Sequence, residues 1–217
     1  FNKSDYTNYN ILYAKTFGYN KIWIKKLKEA VLLNNKQLDR LDNDYGKLLS
    51  DYVKQFINEF NISKVDLISS HGHTIFHQPN KGITLQIGDG KTINNNTQID
   101  VVSDFRTQDI EYKGEGAPLV PIGDLHLYYM YKYCLNLGGF SNISIKDKKN
   151  IKAFDICPVN TVLNHYSNKL GYPFDKDGFL SNKGRINTNL LRKLNDMSFY
   201  NKLGPKSLGI EFVLSKV

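Results

Sequence analysis

Val101-Val102-Ser103-Asp104-Phe105-Arg106, continuing to Glu115-Gly116-Ala117-Pro118-Leu119-Val120-Pro121, is the stretch whose reading decides the fold. The β-branched run reads as a buried strand, and an acid and an arginine follow at its end. A loop of glycine and proline comes next. In α/β proteins, ligands bind beyond the carboxyl ends of strands, where a carboxylate is well placed to act as a general base. The basic residues are overwhelmingly lysine, and the only arginines are Arg40, Arg106, Arg185 and Arg192. A planar fork donor at a position where lysine is the default points to recognition of a carboxylate or phosphate. The plain alternative is a strand end and surface turn, with Arg106 paired to Asp104 or Asp109.

Strands and helices alternate on either side of this block. Asn10 to Tyr19 reads as a strand, Lys21 to Leu33 as a helix, and Asn35 to Phe60 as a longer amphipathic helix. On that second helix Leu38, Leu41, Tyr45, Leu48, Leu49 and Tyr52 recur at three- and four-residue steps. Val65 to Ser69, Thr84 to Ile87 and Asp100 to Ser103 read as short strands. Pro121 opens a helical pattern, as suits a first turn. Tyr133 to Leu137, Ser141 to Ile145 and Ile151 to Ile156 are further strands, the first two joined by Gly138-Gly139. Asn160 to Leu170 is a helix ended by Gly171. Leu190 to Leu194 lies in another, and Glu211 to Leu214 opens a last one. This alternation predicts an α/β architecture. The hairpin after Tyr131 suggests a second sheet, so the expected division is 1–131 and 132–217.

The 217 residues carry a formal net charge of +8. The excess comes from scattered lysines, with short clusters at Lys25-Lys26-Leu27-Lys28 and Lys146-Asp147-Lys148-Lys149. Nucleic-acid binders present a basic stripe with arginines and stacking aromatics, so no nucleic-acid partner is expected. No apolar run approaches the ~20 residues of a membrane helix, and no membrane partner is expected. Cys134 and Cys157 lack metal-ligand spacing and read as buried free thiols in a reducing cytosol.

Three further blocks carry chemistry. Ser70-His71-Gly72-His73-Thr74-Ile75-Phe76-His77 follows a strand and supplies donors suited to sugar hydroxyls. It reads alternatively as a metal site of His71, His73 and His77, or as a polar loop with hydrogen-bonded histidines. Leu135-Asn136-Leu137-Gly138-Gly139-Phe140-Ser141-Asn142 is a hairpin able to turn N–H groups toward an anion, or a plain turn. Asp155-Ile156-Cys157-Pro158-Val159-Asn160 puts an acid at a strand end and an asparagine at a helix start. The acid suits a metal-bound nucleotide, and the asparagine suits a helix cap.

Taken in order, these blocks resemble the anhydro-N-acetylmuramic acid kinases, bacterial cytoplasmic enzymes of the actin, hexokinase and Hsp70 superfamily. The likeness runs through Ser69-Ser70-His71-Gly72, Thr84-Leu85-Gln86-Ile87-Gly88, Asp104-Phe105-Arg106, Gly116-Ala117-Pro118-Leu119-Val120-Pro121 and Asn136-Leu137-Gly138-Gly139. It continues to Asp175-Lys176-Asp177-Gly178 and Pro205-Lys206-Ser207-Leu208-Gly209. The resemblance implies a two-domain actin-like ATPase (ribonuclease H-like) α/β fold with mixed sheets flanked by helices. It implies that ATP, with Mg²⁺, phosphorylates an amino sugar as its anhydro ring opens, in peptidoglycan recycling. Asp104 would be the base. His71, Gly72, Gln86, Arg106, Glu115 and Gly116 would line the sugar cleft. Gly138, Gly139, Asn142, Asp155 and Asn160 would face the nucleotide, with Asp155 near its Mg²⁺. A homodimer is implied as well.

The chain departs from the family pattern at several points. Gly-Gly-Gln-Gly becomes Lys113-Gly114-Glu115-Gly116. His-Gly-Gln-Thr becomes His71-Gly72-His73-Thr74, and Asp-Thr-Gly-Pro-Gly-Asn becomes Asp155-Ile156-Cys157-Pro158-Val159-Asn160. The family's opening phosphate loop and closing adenosine site have no counterpart in these residues, so a fold incomplete at both ends is expected. Two other functions stay open: a non-catalytic amino-sugar-binding fragment, and a metal-dependent hydrolase built on the histidines.

Overall fold

The computed structural model describes residues 9–147 and 150–216. It divides into two compact units, one running to Leu119 and the other starting at Val120.

In the first unit, α1 (Lys21–Glu29) begins at Asn20, whose side chain accepts from Trp23 N at 2.9 Å. It tightens into a 3₁₀ turn over Ala30–Leu32. Helix α2 (Asn35–Glu59) starts with a reciprocal capping box between Asn34 and Gln37. The predicted apolar stripe of α2 faces inward and supplies Leu41 and Tyr45 to a core with Ala30 and Ile87. Tyr45 is only 3% exposed and Ile87 1%. The Tyr45 hydroxyl lies 2.5 Å from that of Tyr19, and its ring meets the edges of Trp23 and His73. Burial, with this hydroxyl contact second, pushes the Tyr45 phenol well above its ordinary pKa.

Two small sheets complete the unit. Strand β1 (Ile68–Ser70) pairs parallel with β4 (Val101–Ser103), and β2 (His73–Gln78) pairs antiparallel with β3 (Ile83–Ile87). Helix α3 (Gly90–Thr97) separates β3 from β4, and the short α4 (Thr107–Glu111) follows β4.

Several expectations change here. Asn10 to Tyr19 forms no strand in its described residues. Tyr13 and Phe17, four apart, pack along α2 and its C-cap: Tyr13 stacks on Phe60 and Phe17 on Tyr52, each with centroids 4.7 Å apart. An ion pair of Lys15 with Glu59 holds the same path. The histidine block is mostly strand, because Ser70 ends β1 and β2 begins at His73 with β3 as its partner. Helix α3 is too polar to announce itself. It forms because Asp89 caps it, accepting from Thr92 N at 2.7 Å, and because Ile93 is fully buried.

The second unit is built on a meander of β5 (Tyr133–Leu137), β6 (Phe140–Asp147) and β7 (Asn150–Pro158). Helices α5 (Leu119–Leu127), α6 (Asn160–Lys169), α7 (Thr188–Asn195) and α8 (Ile210–Lys216) accompany it. Lys146 on β6 is 7% exposed, and its Nζ donates to the carbonyls of Asp124 and Tyr128 at the end of α5. That tie joins α5 to this sheet, and the division falls at the first residue of α5, between Leu119 and Val120, rather than near residue 131. Lys148 and Lys149 of the predicted basic cluster lie outside the described residues. Cys134 and Cys157 are free and half-buried. No helix of the described residues is long and apolar enough to cross a membrane.

Candidate active site

Asp104 leaves the end of β4 in a left-handed backbone conformation, with φ of 56°. Asp tolerates this region better than most residues. Its exposed carboxylate is steadied through Oδ1, which accepts from Thr107 Oγ1 at 2.7 Å and from Thr107 N at 3.3 Å. Asp104 Oδ1 thereby ties the end of β4 to Thr107, the first residue of α4.

Around it lies a cleft of about 200 Å³, lined by Ser70, His71, Gly72, Gln86, Asp104 and Thr107 together with Asp42 and the turn 88–90. Two crossings shape it. Gly72 has φ of 69°, and a Cβ there would stand 2.3 Å from Ile87 O. Gly88, with φ of 120°, presses on Tyr45 and Leu49 of α2. Asp42 of α2 holds this turn by accepting from Gly88 N at 2.6 Å. Burial raises the Asp42 pKa above the ordinary carboxylate value. The Gly88 hydrogen bond opposes that, and the nearby charge of Asp89 adds to it. Gln86 donates to Thr84 Oγ1 at 2.9 Å, while its Oε1 is buried without a partner.

Arg106 pairs with neither Asp104 nor Asp109. Its Nε donates to His71 Nε2 at 2.9 Å and its Nη1 to Gly116 O at 2.7 Å. Burial holds its pKa below the ordinary guanidinium value, though still as a cation. Arg106 and Gly116 thus back the cleft through His71, and Glu115 is exposed outside its lining. The three histidines do not converge. His71 meets Arg106, His73 packs on Tyr45, and His77 Nδ1 lies 3.5 Å from Thr84 Oγ1. Among the described residues no group of three His, Cys, Asp or Glu is placed to hold a metal ion.

In the second unit, Asn136, Asn142 and Asp155 stand in one row across β5, β6 and β7. Asp155 Oδ2 accepts from Leu208 N at 2.7 Å, and its own N–H donates to Lys206 O, so it seats the Pro205–Gly209 segment. The carbonyls of Gly138 and Gly139 face the start of α6. Gly138 O accepts from Asn160 Nδ2 at 2.9 Å, and Gly139 O from Val159 N at 2.9 Å and Thr161 N at 3.1 Å. Asn160 is a clasp between hairpin and helix, which replaces its reading as a plain cap. A Cβ at Gly139 would stand 2.9 Å from Thr161 Oγ1.

Sequence reasoning missed Asp42, Asp89 and Thr107, and it named Asp109 only as a partner for Arg106. Two left a trace, because Asp89-x-x-Thr92 and Asp104-x-x-Thr107 both have capping spacing.

Comparison with known proteins agrees with the resemblance. The profile of the anhydro-N-acetylmuramic acid kinase family matches residues 21–215. An anhydro-N-acetylmuramic acid kinase of Pseudomonas syringae pv. syringae is 38% identical over 207 residues, covering 92% of this chain and 55% of that protein. One from Shewanella frigidimarina is 36% identical over 185 residues, covering 81% of this chain and 50% of that protein. The chain spans about half the length of the curated relatives it matches. Its α/β make-up of helices and small sheets is consistent with an actin- and hexokinase-like fold. On the profile match and on these identities, the chain belongs to the anhydro-N-acetylmuramic acid kinase family.

Proposed function

We propose that this chain carries the sugar-binding and general-base part of a cytoplasmic kinase that phosphorylates 1,6-anhydro-N-acetylmuramic acid with ATP. The observation that carries the reading is the cleft in which Asp104 sits beside His71, Gly72 and Gln86. Thr107 occupies Asp104 Oδ1, which leaves Oδ2 to take a proton from water. The resulting hydroxide attacks C1 of the sugar, and the C1–O6 bond breaks. O6 takes the γ-phosphoryl group as its bond to the β-phosphate oxygen breaks, giving N-acetylmuramate 6-phosphate and ADP. The protein's share is positioning and charge stabilisation. MgATP is a substrate, and Gly138, Gly139, Asn142, Asp155 and Asn160 are its proposed neighbours. A homodimer is part of the same proposal.

The test is coupled ADP release on the anhydro-sugar. Turnover that requires the sugar and drops by about 10²–10⁴-fold in Asp104→Asn supports the reading. Full activity in that variant removes Asp104 from its role. A second reading is a sugar-binding module without turnover. Sugar binding without ADP release would select it.

A further inference from the structure

Asp109, Arg106 and His71 are linked by contacts that the proposed chemistry does not use directly. The Asp109 Oδ2 accepts from Gly116 N at 2.7 Å, and the Asp109 backbone carbonyl accepts from Gly114 N at 2.7 Å. The loop lies so close over the carboxylate that a Cβ at Gly114 would stand 2.2 Å from Oδ2. Gly116 has φ of 65°, and a Cβ there would meet Ile110 Cδ1 at 2.7 Å. The loop therefore has a single seat. Seated so, it offers the Gly116 carbonyl to Arg106 Nη1.

The next link decides a tautomer. An arginine Nε–H only donates, so His71 Nε2 must accept and carries no proton. The proton of the neutral ring then sits on Nδ1, which lies 3.1 Å from Gly72 O and donates to it. Both ring nitrogens are committed.

We infer that Asp109 is a positioning residue of the cleft: it seats residues 113–116 and, through Arg106, holds His71 on the cleft wall as the Nδ1–H tautomer. His71 then has no nitrogen free to take a proton from water or to bind an ion, and it acts as a fixed wall beside Asp104. The effect on sugar binding rests on the sugar-cleft reading, whereas the tautomer does not.

The experiment is long-range ¹H–¹⁵N correlation on the chain labelled with ¹⁵N-histidine, at a pH where the rings are neutral. His71 is expected to show a protonated Nδ1 and a bare Nε2, the reverse of free histidine. Asp109→Asn retains an oxygen for Gly116 N and keeps this pattern. Asp109→Ala releases His71 toward the Nε2–H form, and Arg106→Lys does so independently of the loop. The signals of His73 and His126 report that each variant is folded. An Nε2–H form in the unaltered chain, or an unchanged pattern in Asp109→Ala, overturns the inference.

Calorimetric titration with 1,6-anhydro-N-acetylmuramic acid completes it, with about tenfold weaker binding expected in Asp109→Ala and at most about a twofold change in Asp109→Asn. Released His71 with undiminished sugar affinity overturns the positioning role. Absence of sugar binding in every form, with the tautomer pattern intact, removes the sugar-cleft reading and leaves the Asp109–Arg106–His71 link standing.

Discussion

Lys113 holds φ of 63° in the loop that Asp109 seats, where the family pattern has glycine. An L side chain in that region costs roughly 1–2 kcal/mol, and a glycine gives part of it back in chain entropy. Lys113→Gly is therefore expected to stabilise the protein by up to about 1 kcal/mol. A lower urea midpoint in that variant would contradict the strain.

His73 gives a pH signature. Burial holds its pKa below the ordinary 6.5. The unfolded chain then binds more protons than the folded one between the lowered value and 6.5. This contribution is complete above about pH 6.5 and is lost as pH falls through the folded value. His73→Gln should flatten the stability profile over that window. An unchanged acid slope in urea unfolding would show that His73 is not its source.

Among the elements, α2 carries most of the first unit. Its stripe was readable because leucine and tyrosine recur at helical spacing with few interruptions. Leu41 sits in the fully formed core, so Leu41→Ala should cost about 2–5 kcal/mol. A loss under about 1 kcal/mol would mean that the core collapses around the gap. Gly46 marks a close crossing: a Cβ there would stand 3.0 Å from Asp89 O and 3.1 Å from Thr92 Cβ. Gly46→Ala is expected to displace the turn 88–90 and weaken sugar binding, in spite of alanine's better helix propensity. A rise in thermal stability with unchanged sugar affinity would show that the turn has slack.

The β5–β6 hairpin was also legible, because Gly138-Gly139 separates two β-branched or apolar runs. The Asn10–Tyr19 segment misled because strand-like aromatics pack on a helix when no strand edge lies beside them. Helix α3 was silent because its asparagines hide a cap and a single buried isoleucine.

At the scale of the whole molecule, Asp104 at the end of β4 was readable from a strand followed by an acid. The residues that set its surroundings come from distant parts of the chain. Asp42 acts from α2, and Arg106 reaches back to His71 across a separation of 35 residues. Spacing within one motif carries no information about such contacts, so this part of the site needed the fold. Lys146 makes the same point in the second unit, where a lysine read as part of a short basic cluster ties α5 to the sheet.

The central claim is that the first unit's cleft binds the anhydro amino sugar with Asp104 beside it. Titrating 1,6-anhydro-N-acetylmuramic acid into the ¹⁵N-labelled chain, with amide shifts followed, addresses this without requiring turnover. Saturable shifts clustered at Gly72, Gln86, Asp104 and Thr107 are the predicted result. Shifts confined to residues after Val120, or none at all at saturating sugar, would contradict it.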